Sequence, residues 1–465
     1  MKIVLNKKNK FVVKPFFKST EYSCDLCKFA NENGFFDSKL GEVYCDTGYN
    51  STNTILWGLG DQDKLDDEKL RIASFKLINE INKAKINEIN LEIPSLPNLN
   101  ATSSIVEGML QATYKFDKFL SKKDKFYVEE VSLFNACEDA IEEVKTLIEG
   151  IFLTRELVNE PAMYLYPETL ANIATEKLTS VGVNVEVLNR KEIENLGMKA
   201  FLSVAQGSDK EPKFIIMKYN GDPDSDKKIA FVGKGLTYDS GGYCIKTPAG
   251  MLTMHADMGG SGTVIGAMYA IAKANLKANI VAVVAACENL ISGKAYKTGD
   301  IIGSMSGKTI EVGNTDAEGR LTLADALFYV ADRENPEAII DFATLTGACV
   351  AALGELYTGA ITNNDDLMNK VKNACKTSGE RVWLLPSCDE YRDLIKSDVA
   401  DLSNIGKKSP GCITAGLFLE NFVKDIPWVH MDIAGTAWLS APSGYLPKGA
   451  TGIHVKTLYN LVKNK

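Results

Sequence analysis

The sequence points to an α/β protein of two domains. A smaller α/β N-terminal domain is expected over residues 1–150, and a larger α/β domain over residues 151–465 with a mostly parallel central sheet covered by helices. Three observations carry this expectation. A chain of 465 residues is too long for one ordinary hydrophobic core. From about residue 165 onward, short apolar runs alternate with amphipathic ones, the pattern of buried strands joined by crossover helices. Between the halves, residues 135–159 read as a long helix stopped by Glu160-Pro161, which sets the boundary near residue 150.

Taken in order, residues 2–5, 54–59 and 126–131 read as strands of the first domain, and 66–82 and 102–119 as its helices. The lysine-rich piece Ser121-Lys-Lys-Asp-Lys125 reads as solvated surface. In the second domain the candidate strands are 214–218, 228–233, 278–285, 338–342 and 428–433. The candidate helices are 168–178, 262–274, 322–333 and 413–423. In such sheets functional groups gather where strands end and loops begin, so a site is expected in the second domain.

Composition narrows the function classes. Apolar residues make up 45% of the chain and charged residues 24%, the profile of a globular protein. A net charge of −8 argues against a whole-protein basic footprint for nucleic acid. The apolar run at the N-terminus is too short for a signal peptide, and no run is long enough for a membrane-spanning helix. The ten cysteines are scattered, with Cys287 and Cys349 inside apolar segments, which suggests reduced thiols and a cytoplasmic address.

Two segments place ionisable residues directly after buried strands. One runs from Phe231 through Gly233-Lys-Gly and Asp239-Ser-Gly-Gly242 to Lys246 and Asp257; the other is Asn314-Thr-Asp-Ala-Glu-Gly-Arg-Leu321. Together they offer Lys234, Asp239, Lys246, Asp257, Asp316, Glu318 and Arg320. Converging carboxylates repel, and burying them unpaired is costly, a cost that divalent cations remove. Four carboxylates could hold two metals, one group bridging, at a spacing of roughly 3.5–4 Å. Asp316 and Glu318 are expected to share a face of extended chain, with Gly319 permitting a tight turn beside them. A neighbouring dication could depress a lysine's pKa enough for ligation; Lys246 and Arg320 could instead stay charged and stabilise an oxyanion.

Three other features are read plainly. Gly303-Ser-Met-Ser-Gly-Lys-Thr309 is one residue short of a phosphate loop and reads as a Gly-rich loop. Cys24-Asp-Leu-Cys27 could be half a zinc knuckle or a redox pair, but with no second CxxC it is taken as incidental thiols. The three histidines, His255, His430 and His454, form no H-E-x-x-H, which removes the common single-zinc peptidase design. His430 reads as a packed residue, and His255, beside Asp257, as a possible tuner of the site.

At these residues the chain resembles the M17 family, the leucyl aminopeptidases. Asn314 to Leu321 matches the family signature at all eight positions. Gly233-Lys-Gly, Asp239-Ser-Gly-Gly242, Asp257-Met-Gly-Gly260, Ala343-Thr-Leu-Thr-Gly347 and Asp432-Ile-Ala-Gly435 look like further family blocks in the family's order. The resemblance covers roughly residue 157 to the C-terminus. It implies a metal-dependent aminopeptidase that releases leucine and similar apolar residues from peptide N-termini. Lys234, Asp239, Asp257 and Glu318 would hold the tighter of two divalent ions, and Asp239, Asp316 and Glu318 the more exchangeable one. Manganese, zinc or cobalt are the metals implied. A water between the cations would become a competent nucleophile near neutral pH. Lys246 would polarise the carbonyl, and Arg320 would anchor a bicarbonate that carries the proton. Met254, Thr344, Gly347, Ala434 and Ala437 would line the first side-chain pocket, while the main chain at Thr344 and Leu345 orients the peptide. Similar enzymes are homohexamers. His255 stands where the family usually has Lys or Arg, Cys244 where it often has Ser, and Gly260-Ser-Gly262 replaces a more Ala-rich version. The alternative reading is a DNA-binding or regulatory protein of the same fold, which the acidic balance disfavours.

Overall fold

The computed structural model describes residues 1–20, 22, 24–45, 53–406 and 410–464. Its internal contacts divide the chain into two compact units, Met1–Ile148 with Pro442–Pro447, and Glu149–Ala441 with Lys448–Lys465. The return of Pro442–Pro447 to the first unit has no mark in the sequence pattern.

The first unit is built on six strands: β1 (Lys2–Leu5), β2 (Phe11–Phe17), β3 (Val43–Cys45), β4 (Thr54–Gly60), β5 (Glu88–Glu92) and β6 (Glu130–Phe134). Their order is β1-β6-β5-β2-β4-β3, parallel throughout except for the β3–β4 pair at one edge. The strand expected at 126–131 is displaced to β6, which begins where its partners begin, Glu130 lying opposite Lys2 and Glu88. Its helices are α1 (Asp25–Glu32), α2 (Asp67–Lys83), α3 (Ala101–Gln111) and α4 (Glu138–Asn159), the last of which contains the division between the units. The helix expected over 102–119 stops at Gln111 because the buried face ends there; residues 112–120 are half-buried or exposed. Buried between α2 and α3, Arg71 Nε donates to Glu107 Oε2 at 2.6 Å. Glu68 and, through it, the Tyr445 hydroxyl complete that network.

One expectation about the cysteines is corrected in this unit. Eight are free thiols, but Cys24 and Cys27 form a disulfide. Cys24 caps the N-terminus of α1 and Cys27 lies in its first turn, so the helix itself brings their Cα atoms to 5.3 Å.

The second unit carries an eight-stranded sheet. Its first four strands are β7 (Asn184–Leu188), β8 (Lys213–Asn220), β9 (Lys228–Asp239) and β10 (Asn279–Asn289). Two short strands, β11 (Ile301–Gly303) and β12 (Thr309–Glu311), lie apart in a separate hairpin; β13 (Ala338–Ala343), β14 (Thr358–Thr362) and β15 (Val382–Leu384) return to the main sheet. A two-residue strand, β16 (Leu402–Ser403), joins the hairpin, and β17 (Trp428–Asp432) completes the main sheet. The order is β15-β14-β17-β13-β9-β10-β8-β7. The centre, β17-β13-β9-β10, is parallel, while β7, β8 and the β14–β17 pair add antiparallel edges. One face carries Ala230, Val232, Val283 and Ile339 against Leu323, Leu327, Leu417 and Phe418 of the helices Gly319–Tyr329 and Gly411–Glu420. The helix Gly259–Lys273 comes so close to the sheet that a Cβ on Gly260 would lie 1.9 Å from the Phe342 carbonyl oxygen. The Gly303–Thr309 segment that resembles a phosphate loop is the turn of the β11–β12 hairpin and opens no helix.

Candidate active site

The site lies at the C-terminal ends of the parallel strands, where side chains leave the sheet and backbone hydrogen bonding stops. β9 supplies two of its residues. Lys234 and Asp239 are five apart and would face opposite ways on a regular strand. The pairing of β9 with β10 skips Thr237, as Cys287 lies opposite Leu236 and Glu288 opposite Tyr238. That bulge restores the parity, and Lys234 and Asp239 line the same cavity of about 930 Å³.

The remaining groups arrive on loops. Asp257 follows the short turn Met254–Ala256, and Lys246 comes from the segment after β9. Asp316 and Glu318 sit on the approach to the helix Gly319–Tyr329, with Glu318 at its N-cap in helical geometry. The chain here is therefore a turn entering a helix, not extended. Gly319 has another role than the one expected: a Cβ on it would lie 2.3 Å from Lys234 Cε, so a larger residue would push the end of the Lys234 side chain from its place between Asp257 and Glu318.

The charges form two linked sets. Lys234 Nζ lies 2.7 Å from Asp257 Oδ2 and 2.9 Å from Glu318 Oε1, and donates to the Thr344 carbonyl at 3.0 Å. Lys246 Nζ lies 2.8 Å from Asp239 Oδ2 and 2.5 Å from Asp316 Oδ1. One oxygen each from Asp239, Asp316 and Glu318 falls within 4.8 Å of the others. Burial raises the Glu318 carboxyl above its ordinary pKa, and the neighbouring Asp239 adds to the effect against the opposing pull of Lys234. Asp257 is raised for the same first reason, with Lys234 opposing. Burial works against the charge on both lysines, but the surrounding carboxylates outweigh it and raise them. Arg320, buried beside Glu318 and Asp432, is pulled down to about 10 by desolvation.

Asparagines that the sequence did not single out hold this arrangement. Asn289, at the end of β10, donates to Asp239 Oδ1 at 2.8 Å and to the Thr315 carbonyl at 3.0 Å. Asn404 accepts from the Gly313 and Asn314 amides, donates to the Asn314 carbonyl, and through its own carbonyl receives Arg320 Nη1 at 2.7 Å. Asp432 anchors the opposite wall by accepting from the Leu345 and Ala434 amides and the Thr346 hydroxyl. Single asparagines in loops carry no spacing signal; Asp432 at least lay in a motif.

All seven charged candidates line the cavity, together with Met254, Thr344, Leu345, Gly347 and Ala434. Ala437 does not. The turn closed by its amide on the Ile433 carbonyl leaves Ala434 and Trp438 one turn apart, both facing the cavity. Ala437 is buried instead, its Cβ 3.2 Å from where a Cβ on Gly259 would be. Trp438 is a wall residue missed in the sequence, and its ring meets His255, also in the wall, edge-on at 5.0 Å between centroids. His430 is a packed residue whose Nδ1 lies 2.6 Å from Asp341 Oδ1.

The donor set fits a hard divalent cation. Glu318 Oε2 is buried with no hydrogen-bond partner among the described residues, and it belongs to the group of converging carboxylates. A carboxylate–lysine cluster of this kind, at the strand ends of an α/β sheet, is a site suited to holding a divalent cation, as in metal-dependent enzymes. Family comparison makes that class specific. The cytosol aminopeptidase family, peptidase M17, matches through its catalytic domain over residues 152–459 and its N-terminal domain over residues 29–123. A probable cytosol aminopeptidase of Clostridium tetani is 51% identical, over 100% of this chain and 97% of its own length. One from Treponema denticola is also 51% identical, over 93% of this chain and 94% of its own. Among solved structures, the bottromycin maturation enzyme BotP superposes with a TM-score of 0.90 at 28% identity, covering 98% of this chain and 99% of that one. It matches equally well in its complex with Mn. The chain belongs to the cytosol aminopeptidase family and is a metal-dependent aminopeptidase acting on peptides. Among the described residues no helix is long and apolar enough to cross a membrane.

Proposed function

We propose that the chain removes leucine and similar apolar residues from peptide N-termini by a two-metal mechanism, as a cytoplasmic homohexamer. The observation that carries this reading is the convergence of Asp239, Asp316 and Glu318, with Lys234 linking Glu318 to Asp257. Lys234, Asp239, Asp257 and Glu318 would hold one ion, and Asp239, Asp316 and Glu318 the second. Manganese, zinc and cobalt are the candidate metals; the Mn complex of BotP favours the first. When bound, the cations supply the positive charge that activates water and polarises the scissile carbonyl.

The chain's own groups do the rest. Lys246, already poised between Asp239 and Asp316, places a cation beside the carbonyl oxygen as negative charge develops on it. Arg320 is fixed by Asn404, yet its Nε is buried without a hydrogen-bond partner among the described residues, which suits a small anion such as bicarbonate as proton carrier. Met254, Gly347 and Ala434 offer apolar or small surfaces to the first side chain, and main-chain groups at Thr344 and Leu345 orient the peptide.

A panel of aminoacyl substrates, titrated with manganese, zinc and cobalt, tests this directly. Turnover that rises with metal and is greatest for leucine-type residues is expected. Metal-loaded enzyme with no turnover on any member would overturn the reading.

A further inference from the structure

We propose that the Cys24–Cys27 pair of the first unit is a thiol–disulfide exchange site that reacts with small monothiols of the glutathione class. This is a chemistry separate from peptide hydrolysis.

Four observations support it. First, this pair is bonded while the other eight cysteines are free thiols. Second, the bond spans a sequence separation of three, and the stabilisation from a cross-link grows with the length of chain it closes. A bond closing so short a loop restrains little of the unfolded chain, so stability does not account for it. Third, the two sulfurs have different surroundings. Cys24 is half-buried and reaches solvent, whereas Cys27 is fully buried among Phe16, Leu26, Ala30, Phe36 and Leu56. Fourth, Cys24 caps the N-terminus of α1, and its Sγ accepts the Cys27 amide N–H at 3.2 Å. That donor and the positive end of the helix stabilise a thiolate at Cys24 once the bond opens. Asp25 and Lys28, both exposed on this turn, are of opposite charge. The hydrophobic side chains packed around the turn among the described residues include Phe16, Tyr22, Phe36, Tyr44 and Leu56, the two tyrosines being titratable but neutral at neutral pH.

The chemistry balances. An incoming thiolate attacks Cys24 Sγ, the Cys24–Cys27 bond breaks, and Cys27 leaves with the electron pair and takes up a proton. A second thiolate attacks the external sulfur of the mixed disulfide and releases the Cys24 thiolate. Two monothiols are oxidised to one disulfide and the protein pair is reduced to two thiols; the reverse reaction uses the oxidised monothiol.

The test uses the full-length chain equilibrated in buffers that run from reduced to oxidised glutathione. Acid quenching, alkylation and mass spectrometry of the peptide containing Cys24 and Cys27 then read its state. The pair should interconvert reversibly within that range, and in the reduced form Cys24 should alkylate with a pH midpoint below about 7.5, against about 8.5 for an ordinary thiol. Cys27→Ser should accumulate glutathione on Cys24, and Cys24→Ser should leave Cys27 at least about tenfold less modified, as expected of a buried thiol. Peptidase turnover should be unchanged in both variants. A pair that stays oxidised in the most reducing buffer, never oxidises, or alkylates at Cys24 with an ordinary midpoint would overturn the proposal. The wild-type titration decides even where Cys27→Ser folds poorly.

Discussion

Two buried ion networks, one in each unit, show how differently the same residue types can be used. In the first unit, Arg71 is matched by Glu107 in a short buried pair, with Glu68 at the edge. The surrounding carboxylates hold the Arg71 charge firmly against the opposing effect of burial. In the second unit, Asp239, Asp257, Asp316 and Glu318 share Lys234 and Lys246, and burial with mutual repulsion raises Glu318, Asp257 and Asp316. The first network is closed, each buried charge matched by a partner. The second keeps unsatisfied negative charge where a cation can use it, as expected of a site that trades stability for chemistry.

The largest effect should follow from Glu318→Gln. Turnover should fall to background, because a carboxylate facing both proposed ion positions is gone. The metal-free variant should melt at or above the temperature of the metal-free wild type, because a repelling buried carboxylate has also gone. Thermal unfolding with chelator, beside turnover with metal, checks both; a variant that is active, or markedly less stable without metal, would break the contrast. Glu107→Leu should do the opposite, costing about 3–5 kcal/mol of stability by leaving buried Arg71 with only the half-exposed Glu68 as partner, with turnover per folded molecule intact. The double variant Arg71→Met with Glu107→Leu should recover most of that loss in denaturant unfolding.

A smaller effect tests a closed polar site inside the second unit. His454 Nε2 lies 2.7 Å from the Thr358 hydroxyl, and burial pushes its imidazole down to about 3. The folded state thus refuses a proton that the unfolded chain takes up below about 6.5. Its contribution is complete above that pH and is lost as pH falls toward 3. Between pH 7 and pH 5, wild type should lose roughly 2 kcal/mol more than His454→Asn. Asparagine is chosen because residue 454 has φ of 63°, which it tolerates. Equal losses in the two proteins would remove His454 as the cause.

Much of this contrast was legible in the sequence, for reasons that differ by residue. The parallel centre of the second sheet follows from apolar runs too uniform to have a wet face, as in β13, buried at every position. Asp316 and Glu318 stood out because they follow a buried strand in a Gly-containing segment that, with the Lys234–Asp257 segment, gathers seven ionisable residues, and because Asn314 to Leu321 matches a family signature. The Thr237 bulge that aligns Lys234 with Asp239 was not legible, since register is set by β10 and not by β9 alone. Nor was the burial of Ala437, which depends on a single turn after β17, or the clamp at Asn404, some 90 residues from the loop it holds. The Cys24–Cys27 spacing was visible, but its pairing required knowing that Cys24 begins a helix.

Counting bound metal tests the central claim most directly. Native mass spectrometry of the manganese-loaded chain should find two divalent ions per subunit in wild type and fewer in Glu318→Gln, in step with turnover. Full turnover with one ion or none per subunit, or two ions retained by the inactive variant, would contradict a two-metal centre built on Glu318.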